Sequence, residues 1–304
     1  MIGLWIGRGV GFVFLALALA FIGTLAGCAG GPGRVMHRSA PPISYADVAE
    51  AHNARAARLD RVWARAVVEL WYVDDRGKIH REQGEGHLQV RQPNDVALSI
   101  GKLGETYAWL GADGERFWFF DKFEKPRVVV GRFKNIGRPC AEALGLPADP
   151  RTLLDIMGMT PIPATGGSTA WSEDGRRIVV SFARGGAVER LYLDAKTLLP
   201  ARIELVDATG SEGAVTLVAT LGKYEPVVQS DEGGFYPRLA SRVEIRHDES
   251  HTRIALHLAD MEDGGSRAGR LRDAAFDFDS LRAVFRPVTI RDLDRACDEP
   301  ALGG

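Results

Sequence analysis

Two kinds of side chain in this sequence could do chemistry by type and spacing. The stretch "HDESH" sets His247 and His251 one helical turn apart, with Asp248 and Glu249 between them. On a helix the two imidazoles would share a face and could hold zinc. The flanks, "SRVEIR" and "TRIALHL", alternate as strands, so the segment reads as a solvated hairpin tip and no metal is expected. Paired carboxylates come second: Asp277 with Asp279 in "FDFDS", and Asp292 with Asp294 in "RDLD". They alternate with apolar residues and read as solvent-facing positions rather than as an acid/base pair. The sequence contains no G-x-S-x-G elbow, P-loop, dinucleotide fingerprint or C-x-x-C. No enzymatic activity and no cofactor are expected.

Composition narrows the classes further. The chain has 304 residues, 45% hydrophobic and 26% charged, which is ordinary for a globular protein. Its formal net charge of −2 supplies no basic field for nucleic acid. The cysteines are Cys28, Cys140 and Cys297.

The elements follow from periodicity. Ser44 suits an N-cap with Asp47 three residues on, and Val48, His52, Ala56 and Leu59 keep helical spacing, so a helix is predicted over about 45–60. Period-two segments come next: "VVELWYV", "GEGHLQV", "VALSI", "TYAWL", "RFWFF" and "RVVVG". Turns such as "ADG" at 112–114 separate them, which indicates an antiparallel meander. The middle, "RPCAEALGLPADPRTLLDIMGMTPIP", does not alternate. It fits two short helices near 140–145 and 150–157, with Pro139 and Pro150 at their starts. Strands then resume from "TAWSED" to "TRIALHLAD", and the last stretch is less regular. Leu88 and Val90 share one strand face, as do Val96, Leu98 and Ile100, and Phe117 with Phe119 or Trp118 with Phe120 add aromatic surface. By themselves such faces indicate a packed core.

The N-terminus carries an address. Arg8 precedes an uncharged apolar run, Gly9 to Gly27, in the order of an export signal. Cys28 directly follows "LAG", which resembles the bacterial lipobox. That resemblance implies cleavage before Cys28 and acylation of Cys28, and several acyl chains anchor stably. A retained span or ordinary cleavage are the alternatives. Ala29 after the cysteine points to the outer rather than the inner membrane. Residues 29–42 then read as a flexible Gly/Pro-rich tether. In an oxidising compartment Cys140 and Cys297 could pair, or they could remain two unpaired buried thiols.

One further resemblance ties these parts together. A helix runs into a long first strand, followed by "GEGHLQVRQPN" (Gly84 to Asn94) and "DGERFWFFDK" (Asp113 to Lys122). In order and spacing these resemble the bacterial lipoprotein-localisation proteins, the LolA/LolB superfamily. The resemblance implies an incomplete, strongly curved antiparallel β-barrel of about eleven strands, with an N-terminal helix and a mid-chain helical lid. It would occupy residues 44–304, after a signal peptide at 1–27 and a tether at 28–43. It implies an apolar cavity for the acyl chains of lipoproteins, with Leu88, Val90, Leu98, Ile100, Phe117, Phe119, Leu153, Leu154 and Met157 as candidate lining. The expected partners are acyl chains and a periplasmic carrier protein, and the membrane through the lipid anchor. The alternative is an envelope scaffold or sensor domain with a filled core and a protein partner. In the carrier branch an arginine just before the motif's proline holds the lid closed. Here that position is Gln92, with Arg91 beside it on the opposite strand face, so a lid latch of that kind lacks its arginine.

Overall fold

The computed structural model describes residues 40–73, 77–122, 125–136, 150–207, 215–230, 236–247, 252–265 and 270–298. Helix α1 (Tyr45–Ala57) begins at Ser44, whose Oγ accepts from the Asp47 backbone N–H at 3.2 Å and donates to the Asp47 carboxylate at 2.6 Å. Ser44 is the N-cap the sequence predicts, and Asp47 meets its hydroxyl rather than its backbone N–H. The helix buries Val48, Ala49, His52 and Ala56. It ends three residues short of the predicted boundary, and Leu59, just beyond it, is fully buried.

One open, curved sheet of fourteen strands follows. Its first arm is β1 (Arg61–Val73), β2 (Ile79–Arg91), β3 (Asp95–Lys102), β4 (Glu105–Ala112), β5 (Arg116–Asp121) and β6 (Arg127–Arg132). Helix α2 (Pro150–Ile156) precedes the second arm. That arm is β7 (Ser168–Trp171), β8 (Arg177–Arg184), β9 (Ala187–Asp194), β10 (Pro200–Asp207), β11 (Val215–Pro226), β12 (Arg238–His247) and β13 (Thr252–Glu262). Each arm is a meander, and the two join where β1 pairs antiparallel with β13. Helix α3 (Phe278–Phe285), strand β14 (Thr289–Asp292) and helix α4 (Leu293–Asp298) complete the described chain.

The strand count exceeds the predicted eleven, and β14 accounts for the least legible part. It is only four residues long, lacks alternation and pairs parallel to β6, so no local signal marks it. The four-residue strands β7 and β14 form the two edges of the sheet. Short edges limit pairing with other chains. Of the two mid-chain helices, the later one is present as α2; the one expected near 140–145 lies outside the described residues. "HDESH" falls at the β12–β13 connection, where residues 248–251 are likewise outside them.

The register sorts the side chains of the first arm into two rows. Ala64, Leu88, Leu98, Leu110, Phe119 and Val129 are successive cross-strand neighbours on the concave face. Trp63, Gln89, Ala97, Gly111, Trp118 and Val130 are the corresponding row on the convex face. Two glycines are required by close approach. A Cβ on Gly86, in the "GEG" motif, would stand 1.9 Å from the Ser99 carbonyl oxygen. One on Gly111 would stand 2.3 Å from the Trp118 indole nitrogen.

The main core lies on the concave face and draws on both arms, with Leu88, Val90 and Phe117 from one and Val180, Leu193 and Val243 from the other. The convex face differs between the arms. Over the second arm it carries ion pairs such as Arg202–Glu204 at 2.6 Å and Arg253–Glu244 at 3.0 Å. Over the first arm it is covered by the C-terminal segment. Phe278, Leu281 and Phe285 of α3 pack on Trp118, Phe120, Val128 and Val130, with Phe120 stacked 4.8 Å from Phe285. The chain then rounds the β6 edge, and Leu293 joins the concave core.

One carboxylate of each pair proves to be a capping group. Asp277 caps α3, accepting from the Ser280 N–H. Asp292 accepts from the Asp294 N–H at 2.9 Å, and Asp294 accepts from Asn135 Nδ2 at 2.6 Å. Asp277, Asp279 and Asp292 are exposed, as the sequence suggests, but at the starts of two short helices.

Candidate functional site

Residues 150–163 cross the concave face as a strap. Its side chains point into the core: Leu154, Ile156, Met157, Met159 and Ile162 are all buried, the two methionines completely. Its main chain is tied to the surrounding elements by polar side chains. Asn53 grips Ile162 from both sides, Nδ2 donating to the carbonyl at 2.9 Å and Oδ1 accepting from the N–H at 2.8 Å. Tyr45 Oη donates to the Pro163 carbonyl at 2.7 Å, and Arg184 of β8 donates to that of Pro161 at 2.9 Å. Arg55 Nη2 donates to the Gly158 carbonyl.

Gln92 stands where the resemblance places an arginine, and it bridges the strap and the residues that follow α1. Its Nε2 donates to the Met159 carbonyl at 2.9 Å and the Leu59 carbonyl at 3.1 Å. A primary amide has two N–H donors, enough for both acceptors. Arg91 turns the other way, as strand alternation requires. It pairs with Asp95 at 2.7 Å and Asp273 at 2.8 Å and lies over the Phe276 ring, fastening the C-terminal segment rather than the strap. A latch therefore exists, built from an amide in the turn that follows β2 and a guanidinium in α1.

The electrostatics of the latch follow from burial. His52 Nε2 lies 3.0 Å from the Thr160 carbonyl, and Nδ1 lies 3.5 Å from Arg55 Nη2. Burial first, then the Arg55 charge, pushes its pKa down to about 4, so the ring is neutral at pH 7. With its proton on Nε2 the ring donates to the strap and presents a lone pair to Arg55. Burial also lowers the Arg55 pKa and raises that of Tyr224 nearby. Glu189, almost fully buried, has its pKa raised to about 7, chiefly by desolvation, against the opposing charge of Arg184. Arg184 also reaches Asp155 at 3.2 Å, so β8 holds both the strap and α2.

Of the residues the sequence singles out for the cavity, Leu88, Val90, Leu98, Phe117, Leu154 and Met157 fall in one buried cluster. Ile100 and Leu153 pack against it, and Phe119 lies half-buried in the same concave row. Nothing in the local sequence marks Asn53 or Arg55 as functional, and His52 enters only through its helical spacing. Only the placement of His52 on the apolar stripe of α1 hints at a polar group facing the interior. Cys28 and Cys140 lie outside the described residues; Cys297, in α4, is disulfide-bonded. The described residues contain no cluster of His, Cys, Asp or Glu suited to a metal ion. None of their helices is long and apolar enough to cross a membrane.

No protein-family model and no curated protein matches the sequence. Among solved structures, the fold is similar to that of a domain from Vibrio parahaemolyticus provisionally described as an outer membrane lipoprotein-sorting protein. The TM-score is 0.50 at 12% identity, over 78% of this chain and 97% of that one. Weaker likenesses extend to a LolA superfamily protein from Nitrosomonas europaea, with TM-score 0.47, 12% identity and 76% and 98% of the two chains covered. A DUF1329 family protein from Desulfovibrio piger gives TM-score 0.45, 10% identity and coverage of 77% and 98%. At such identities the likeness is one of fold: the class is an open antiparallel half-barrel carrying helices on its concave side.

Proposed function

We propose that this chain is a lipid-anchored, non-enzymatic protein of the bacterial envelope that binds acyl chains in its half-barrel. In this reading Cys28 is acylated, residues 28–43 form a tether and residues 44–304 form the binding domain. The protein faces the periplasm from the outer membrane, receives lipoproteins from a periplasmic carrier and helps place them there. The observation that carries the reading is the division of labour in the strap. Its apolar side chains fill the concave face, while its fastening consists of hydrogen bonds from neighbouring side chains to its main chain. Such bonds can release without unpicking the sheet.

Magnitudes allow an exchange. Five apolar strap side chains leaving the core would cost about 10 kcal/mol at roughly 2 kcal/mol each. An acyl chain of about fifteen methylenes gains about 12 kcal/mol on burial at about 0.8 kcal/mol per methylene. The two are close enough for a chain to replace the strap once the latch opens.

Native mass spectrometry of protein extracted from membranes, with titration of a fluorescent fatty acid, tests this. Copurifying lipid and saturable binding are expected. Absence of both would sink the reading and leave the second one: an anchored scaffold or sensor with a filled core and a protein partner. The complete burial of Met157 and Met159 favours that second reading. Anchoring is tested by Cys28→Ser, which should release the protein from the membrane fraction; fractionation at wild-type levels would refute lipidation as the tether. Cys140 is the proposed disulfide partner of Cys297, and mass analysis after alkylation, with and without reductant, should differ between the two samples.

A further inference from the structure

A second concavity lies on the convex side of the sheet, away from the strap. Between β1–β4 and the segment Arg270–Phe285 there is a cavity of about 600 Å³. That is within the usual range for small-molecule sites. Aromatic walls come from Trp63, Trp109 and Phe285, and cations from Lys122, Arg270 and Arg272, with no carboxylate among its described lining residues. The C-terminal segment creates it: the Arg272 N–H donates to buried Gln89 at 3.2 Å, and Phe285 meets Trp109 edge-on at 6.3 Å.

Three features of this cavity point to a ligand. Lys122 has no ion-pair partner among the described residues and rests 4.8 Å from the Phe285 ring centroid. Arg270 lies over the Trp63 ring, 4.2 Å from its centroid, steadied at 3.3 Å by Glu262. The indole Nε1 of Trp109 is buried and has no acceptor among the described residues. A buried N–H without an acceptor costs about 1–3 kcal/mol. Burial, reinforced by the field of Arg270, Arg65 and Arg272, holds the His87 pKa below its ordinary value. His87 stacks on Trp63 at 5.1 Å, extending the aromatic wall.

We infer that this groove binds a small organic anion with a flat apolar body, a carboxylate or sulfonate carried on a ring system. The ring lies against Trp63 and Trp109, and the anionic head faces Lys122 and the arginines. The site is independent of the acyl-chain reading, because it lies on the opposite face of the sheet and uses none of the strap residues.

Calorimetric titration of the full-length protein in non-ionic detergent with 2-naphthoate, and with neutral 2-naphthol as the matched control, tests this. One saturable site is expected, with naphthoate at least about tenfold tighter than naphthol, the size of a charge-assisted contact. Lys122→Gln should weaken naphthoate about tenfold, and Ser280→Trp, which fills the groove, should abolish binding. Excess long-chain fatty acid should not displace it. The inference is overturned by lack of saturable binding, by equal affinity for the neutral control, by wild-type affinity in both variants, or by displacement with fatty acid.

Discussion

Gln92 shows how much one amide can do. It meets two carbonyls from different elements, and neither bond depends on the identity of the side chains it joins. Gln92→Ala should lower the unfolding free energy by about 1–3 kcal/mol, read by urea denaturation, because it strands two acceptors. Gln92→Glu should cost more, since a carboxylate would face carbonyl oxygens.

His52 makes the latch sensitive to acid. Its folded pKa, about 4, lies below the unfolded value near 6.5, so between those pH values the unfolded chain binds more protons. Stability from His52 is therefore complete above about pH 6.5 and is lost as pH falls toward 4, up to about 3 kcal/mol. Glu189 acts in the opposite direction. Its folded pKa of about 7 is raised, so its contribution is present below about pH 4.5 and fades as pH rises through 7. A His52→Gln variant isolates the first effect. Its stability deficit against wild type should shrink between pH 6.5 and 4, and a constant deficit would contradict the linkage.

At the scale of elements, the strap is the piece whose role was half legible. Leu153, Leu154, Ile156, Met157 and Met159 are conspicuously apolar for a connection. What a linear reading misses is where its backbone polar groups go, because Asn53, Tyr45, Arg184 and Gln92 are distant in sequence and meet the strap only after the sheet curls. Met157→Ala should destabilise by about 2–5 kcal/mol in chemical denaturation, since its side chain is wholly enclosed. The C-terminal elements were not legible. The pattern "FDFDS" alternates like a strand, yet Asp277 accepts from the Ser280 N–H and starts α3. Capping competes with strand pairing wherever Asp precedes an apolar stretch, and packing of Phe278 and Phe285 on Trp118 and Phe120 settles the outcome.

For the whole molecule, the C-terminal segment converts a one-sided sheet into a two-sided one over the first arm. Trp118, Phe120 and Val128 are fully buried only because α3 covers them. Ending the chain after Gly265 should leave a contiguous apolar patch and give oligomers on size-exclusion chromatography with increased dye binding. A monomeric, well-folded truncation would show that the first arm does not need its cover.

The sequence by itself determined the local and periodic features: the Ser44 cap, the alternating strands, the concave row through Leu88 and Leu98, and the opposite facing of Arg91 and Gln92. Each follows from the side-chain period of a helix or strand, which needs no knowledge of distant partners. Tertiary structure alone decided that Gln92 closes a latch, that His52 sits neutral beneath the strap, and that Arg270, Arg272 and Lys122 gather beside Trp63 and Trp109. These depend on contacts between residues far apart in the chain, fixed by the curvature of the sheet and by the route of the C-terminal segment around its edge.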